Sequence, residues 1–168
     1  MSVLKRYYFD GQIYFVTNVT YNRQGILIDN IDILWTAFKN TKMKIPFDLI
    51  GYVFLPNHFH VIIDPGKYNL SDIMHRIKLS FSSLYRKRNN LYKAQVWQKR
   101  FWDHVIRNQD DLNRHLDYIH YNPVKHGYVK NPILWQETSF HKFIKDGYYS
   151  GDWGVNMGID LEGDFGEV

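Results

Sequence analysis

Hydrophobic and polar positions alternate over residues 13–20 (IYFVTNVT), a run rich in β-branched and aromatic side chains, and this period of two predicts a strand. After Asn30 the period lengthens to that of a helix: Ile31, Leu34, Trp35 and Phe38 fall at i, i+3, i+4 and i+7, with Asn30 as the expected cap and Pro46 closing the segment soon after Lys44. Two further strand runs occupy residues 47–55 and 58–63, and the Pro56-Asn57 pair between them signals a hairpin turn. Ser71 is placed to cap a second helix whose apolar side carries Ile73, Ile77, Phe81 and Leu84. Residues 96–106 (VWQKRFWDHVI) read as a fourth strand, although its alternation is broken. The last clear helix starts at Asn108 or Asp110 and runs to about residue 121, burying Leu112, Leu116 and Ile119. Asn122 precedes Pro123, which disfavours helical geometry and marks the expected helix end at an uncrowded rim.

Strand, helix, strand, strand, helix, strand is the order of a split βαβ unit on an antiparallel sheet. The expected fold is a ferredoxin-like α+β domain with one further C-terminal helix. A chain of 168 residues supports one such domain, and no repeat or linker divides it. We assign residues 1–145 to the domain and 146–168 to an acidic, Gly-rich tail without strong periodicity, expected to be irregular or partly disordered.

Charge sharpens this division. The tail holds six acidic residues and no Lys or Arg, leaving residues 1–145 with 21 basic against 11 acidic side chains. A strongly basic body in which aromatics reach 17% of the chain suits a polyanion whose bases can be stacked upon, hence nucleic acid. The tail, in turn, can lie across a basic groove and compete with DNA, its Tyr148, Tyr149 and Trp153 covering base-stacking surfaces; an inert solvated end is the alternative. Arg76 and Lys87 fall off the apolar stripe of the second helix, and with Lys78, Arg86, Arg88, Lys99 and Arg100 they form the expected DNA-binding set. There are no cysteines, so thiolate chemistry, disulfides and cysteine-based zinc sites are excluded. Neither a long apolar run nor a leader-like segment is visible, and the expected compartment is the cytoplasm, with no membrane partner.

On the strand at residues 58–63, His58 and His60 share one face while Phe59, Val61 and Ile63 share the other. Taken alone, the two imidazoles also read as exposed polar residues. On the last helix, Asp111, His115, Tyr118 and Asn122 form a stripe apart from the apolar one, and Tyr118 and Asn122 stand four residues apart, able to reach one point. Two imidazoles and an amide oxygen make an incomplete N/O ligand set suited to Mg²⁺ or Mn²⁺. A nearby tyrosine hydroxyl can attack phosphorus and form a covalent intermediate.

At these residues the sequence resembles the HUH single-tyrosine transposases, and over residues 8–140 it looks most like their REP-associated branch: FLPNHFHVII, then VWQKRFWDHVIRNQDDLNRHLDYIHYNPVKHGYV, place the LPNHxH turn, the YxxxN pair and NPVKHG in the expected order. The resemblance makes His58 and His60 the metal-binding pair, Tyr118 the nucleophile and Asn122 the third ligand; mobile relatives usually carry Gln at that last position. It implies a ferredoxin-like fold, a divalent metal, and cleavage and strand transfer of single-stranded DNA next to hairpins of repetitive extragenic palindromes (REPs), by a monomer or homodimer. The rivals are a non-catalytic RRM-like nucleic-acid-binding module, a hydrolytic metal-dependent nuclease that leaves Tyr118 idle, and an HUH replication initiator.

Overall fold

The computed structural model of the protein describes residues 11–159 and 161–167; residues 1–10 of the expected domain, and Asp160 among the tail's acidic residues, lie outside them. Four strands, β1 (Tyr14–Val19), β2 (Asp48–Phe54), β3 (His58–Asp64) and β4 (Trp102–Val105), form one antiparallel sheet in the order β2-β3-β1-β4. Helices α1 (Ile31–Lys44) and α2 (Leu70–Arg88) connect them in the ferredoxin-like order, and α3 (Gln109–Lys125) and α4 (Phe140–Lys145) follow β4. The fold class expected from the sequence is the one observed.

Strand parity divides the interior into two layers. Phe59, Val61 and Ile63 of β3 face α1 and α2, in a cluster with Leu34, Phe38, Ile73, Ile77 and Phe81. Ile62 faces the other way, into a second cluster with Phe15, Leu116, Tyr118 and Ile119. His58 and His60 share the parity of Ile62, so the sheet aims both at α3. That helix can lie close because Gly51 of β2 has no side chain: a Cβ there would sit 2.7 Å from Leu116 Cδ2.

Three boundaries differ from the sequence reading. Asn69, not Ser71, caps α2, its Oδ1 accepting from Ser71 N at 2.7 Å. Asn30 stands before α1 without a side-chain cap bond, because its amide is taken by Ile26 O and Arg88. The fourth strand shrinks to Trp102–Val105; upstream, only Trp97 makes an isolated bridge, to Thr20, and Lys78 Nζ takes the Gln98 carbonyl at 3.0 Å.

Helix α3 also runs past its expected stop. Pro123 lies inside its last turn, where a fixed φ fits helical geometry and the missing N–H costs one bond. His126 N resumes the ladder by donating to Asn122 O at 3.0 Å. Asn122 is therefore fully buried rather than on a rim.

Candidate active site

The start of β3 and the last turns of α3 meet in one place. His58, His60, Tyr118 and Asn122 are each at most 3% exposed. The Tyr118 ring lies 5.3 Å from that of His60, centroid to centroid. The structure thus gathers all four residues read from the sequence as nucleophile and ligands, but buries the histidines that the strand pattern suggested were displayed.

Each imidazole is anchored through Nδ1. His58 Nδ1 lies 2.7 Å from Asn57 Oδ1, an oxygen that can only accept, so the ring carries its proton there and turns the Nε2 lone pair inward. His60 Nδ1 lies 2.7 Å from Thr17 Oγ1, whose own hydrogen goes to Phe165 O at 2.6 Å; the same logic leaves His60 Nε2 as the inward-facing atom. Burial lowers the pKa of both rings, His60 to about 4, which favours neutral imidazole. His58 Nε2 and Asn122 Oδ1 are buried with no hydrogen-bond partner. Two imidazoles turned with Nε2 inward, beside an amide whose oxygen is unpaired, fit a divalent cation, with Thr17 and Asn57 holding the rings from behind.

The point where these groups converge is occupied by the chain's own end. Glu167 Oε1 lies 2.7 Å from His60 Nε2, 3.6 Å from His58 Nε2, and accepts from Asn122 Nδ2 at 2.7 Å. Lys125 Nζ meets Oε2 at 2.6 Å, His126 Nε2 is 3.2 Å from the carboxylate, and Arg23 Nη2 donates to the Glu167 carbonyl at 2.7 Å. Burial alone would raise the Glu167 pKa; the His126, His58 and His60 rings facing the carboxylate override it and hold the carboxyl well below its usual range. Phe165 stacks on Tyr118, centroids 3.7 Å apart and planes within 7°. Arg114 lies over the Phe165 ring and donates to Glu162 O. Gly166 lets Phe165 and Glu167 arrive together: its φ is +73°, and a Cβ would fall 2.5 Å from Trp102 Cγ.

The tail is therefore irregular, with neither helix nor strand among its described residues, yet it is packed. The aromatic residue on the site is Phe165, not those expected. Tyr149 instead donates to Asp117 Oδ1 at 2.8 Å and contacts His120, and Trp153 packs on Phe140 and Tyr149. Tyr118 is buried beneath Phe165, and burial followed by hydrogen bonding to Glu167 pushes its hydroxyl pKa far above the ordinary phenol value.

The expected basic set is not gathered here. Arg76, Lys78, Arg86, Lys87 and Arg88 belong to α2, in the layer across the sheet. Among them Arg86 donates to Ala94 O at 2.8 Å and Arg88 pairs with Asp32, while Lys78 holds Gln98. Lys99 and Arg100 are exposed just before β4. The basic residues at the site are Arg23, Arg114, Lys125 and His126. Only Lys125 and His126 carried a sequence signal, their place in NPVKHG; Arg23 and Arg114 had none beyond charge. Asp111 and His115, from the same stripe as Tyr118, form a separate cluster with His104, in which Asp111 accepts from Arg107 N and Nε at 3.0 and 3.2 Å. That saturated carboxylate fastens the start of α3.

Comparison with known proteins decides the family. Residues 8–122 match the model of the "Transposase IS200 like" family. An Escherichia coli REP-associated tyrosine transposase is 36% identical over 91% of this chain and 91% of its own length. A Haemophilus influenzae protein provisionally named for the same group is 34% identical over 98% of this chain and 99% of its own. The chain belongs to the REP-associated tyrosine transposases. A solved structure of a REP-associated tyrosine transposase bound to a REP hairpin superposes with a TM-score of 0.82 at 34% identity, covering 100% of this chain and 98% of that one. A Deinococcus radiodurans structure, provisionally described as a transposase, shares the fold at 13% identity and a TM-score of 0.50, over 66% of this chain and 91% of its own. Among the described residues, no helix is long and apolar enough to cross a membrane.

Proposed function

We propose that this transposase cleaves and rejoins single-stranded DNA beside REP hairpins through a phosphotyrosine at Tyr118, with residues 1–145 as the catalytic domain and 146–168 as a strap over its site. The observation that carries this reading is the convergence of His58 Nε2, His60 Nε2 and the Asn122 amide beside the Tyr118 ring. His58, His60 and Asn122 would hold Mg²⁺ or Mn²⁺, which supplies Lewis-acid polarisation of the scissile phosphate when bound. The site can offer Glu167 as well, since its oxygen and the two imidazole nitrogens lie within 4.8 Å of one another. In this reading Glu167 is a stand-in for the substrate phosphate: an anion seated between imidazoles, an amide and an ammonium.

Tyr118 supplies the nucleophilic oxygen, and its ring is fixed by His60 and Phe15. Its attack on phosphorus forms a 5′-phosphotyrosine and releases a 3′ hydroxyl; attack by another 3′ hydroxyl reverses the step and conserves the phosphodiester energy. Arg23, Arg114 and His126, which now hold the strap, are the groups left to meet DNA phosphates when it departs, and the Tyr118 face vacated by Phe165 is a surface on which a base can stack. Lys99 and Arg100, exposed just before β4, are further groups proposed to meet DNA. The family relatives named for REPs make the hairpin the substrate to try first, in the bacterial cytoplasm, with the protein as monomer or homodimer. The test is incubation of a REP hairpin with a single-stranded flank, labelled downstream of the cleavage site, with the protein and Mn²⁺. Cleavage with transfer of the downstream strand to protein supports the reading; hairpin binding with no cleavage in any divalent metal would make this chain a binding module.

A further inference from the structure

Seven residues at about 100° each return nearly to the starting face of a helix, so Lys125 stands above Tyr118 two turns further along α3. The continuation of the helix through Pro123 preserves that register. Lys125 Nζ donates to Tyr118 Oη at 2.9 Å and lies 4.8 Å from the ring centroid. Among the described residues it is the cation that touches the phenolic oxygen. In the strapped form its second partner is Glu167, at 2.6 Å, which neutralises it. Withdrawal of Glu167 leaves Tyr118 Oη as the remaining partner.

We propose that Lys125 is a catalytic residue of strand transfer, whose ammonium stabilises negative charge on the Tyr118 oxygen as that oxygen attacks and, above all, as it leaves. The proposal rests on the reading of Tyr118 as nucleophile. In cleavage the Oη–P bond forms and the P–O3′ bond breaks; the phenolic proton passes to solvent and O3′ takes one from solvent. In rejoining, a 3′ hydroxyl forms the P–O3′ bond and gives its proton to solvent, and the P–Oη bond breaks with its electron pair remaining on oxygen. Lys125 keeps its proton throughout. A fixed cation at the atom where charge develops lowers the barrier in both directions, because the two steps share that atom. The imidazoles converge on the neighbouring Glu167 Oε1 position, whereas the positive charge at the phenolic oxygen is that of Lys125.

The test uses full-length protein carrying Glu167→Gln, so that the strap does not mask the effect, with Lys125→Met or Lys125→Arg added. Loss of one donor to a developing oxyanion costs on the order of a hundred- to a thousand-fold in rate. Lys125→Met should slow both covalent-complex formation and its resolution by an added 3′-hydroxyl strand to that degree, well beyond any loss of hairpin affinity, with calorimetric Mn²⁺ affinity close to the parent. Lys125→Arg should restore most of the rate. Replacing Tyr118 with 3,5-difluorotyrosine, a better leaving group, should accelerate resolution more in Lys125→Met than in the parent. A Lys125→Met protein that resolves the complex at the parental rate overturns the proposal, as does a defect confined to hairpin affinity or one that neither arginine nor difluorotyrosine relieves. Tyr118→Phe separates the two readings: cleavage by that variant removes the tyrosine nucleophile itself, whereas its inactivity alongside unimpaired Lys125→Met removes only the role of Lys125.

Discussion

Glu167→Gln isolates the strap's chemistry from its shape. The substitution keeps the side-chain volume but removes the charge that Lys125, His60 and His126 face at 2.6, 2.7 and 3.2 Å. Hydrogen bonds to charged groups contribute about 1.5–3 kcal/mol each. These three share one carboxylate and are not additive, so about 1.5–3 kcal/mol is the reasonable total loss for the closed form. Each 1.4 kcal/mol is tenfold in an equilibrium, which moves the balance toward the open site by about 10- to 100-fold. On the proposed reading DNA binds only the open site, so apparent hairpin affinity should rise by up to that factor. The assay is titration of a labelled REP hairpin with its single-stranded flank, at several salt concentrations, alongside the initial cleavage rate in Mn²⁺. The advantage of the variant should shrink as salt rises, since the contacts it removes are electrostatic. Superimposable isotherms at every salt concentration would refute the brake. So would slower cleavage with weakened Mn²⁺ binding, which would make Glu167 a working metal ligand.

Other perturbations test neighbouring parts of the account. Gly166→Ala should act like Glu167→Gln without touching a site residue, because its Cβ would collide with Trp102; unchanged hairpin affinity by the same titration would count against the strap geometry. His58→Ala and His60→Ala should each weaken Mn²⁺ binding strongly in calorimetry, and Asn122→Ala less, since water can replace an amide oxygen; equal affinity in all three would remove them from the metal site. Thr17→Val and Asn57→Ala, which release the imidazole tautomers, should cost about 10- to 100-fold in Mn²⁺ affinity, and parental affinity would dismiss their orienting role. Asp111 has a folded-state pKa below its unfolded value: burial would raise it, but Arg107 and His104 prevail. Its stabilisation is thus present above the unfolded carboxylate pKa of about 3.9 and fades as pH falls below it. Asp111→Asn should lower stability by about 1–3 kcal/mol near neutral pH and flatten the acid limb of a denaturation series; an unchanged limb would refute the assignment.

The strand and helix order was legible because each apolar pattern serves one face. Phe59, Val61 and Ile63 alternate with His58, His60 and Ile62, and the sheet has a packed layer on both sides. The His58–His60–Tyr118–Asn122 group was legible because period two on β3 and period 3.6 on α3 each assign a face without knowledge of the tertiary structure. The boundaries that failed were decided by distant partners. Arg88 takes the cap oxygen of Asn30, and Lys78 takes the carbonyl of Gln98 where the fourth strand was expected to continue. Nor does any local pattern reveal that Glu167 and Phe165 seat on residues 40 or more positions away; the charge asymmetry of the tail indicated a direction of attraction, while the stereochemistry at Gly166 and the stack on Tyr118 appear only in three dimensions. The basic residues of α2 lie across the sheet from Tyr118, a placement that charge along the sequence does not reveal.

The central claim is that Tyr118 becomes covalently joined to DNA. Full-length Glu167→Gln protein, incubated in Mn²⁺ with a REP hairpin whose single-stranded flank is labelled downstream of the cleavage site, should yield a protein–DNA adduct that survives denaturation. Peptide mass spectrometry should place a 5′-phosphate linkage on Tyr118, and Tyr118→Phe should bind the hairpin but give neither adduct nor cleavage. Cleavage by Tyr118→Phe, or cleavage without any adduct and with a free 5′-phosphate end, would contradict the account.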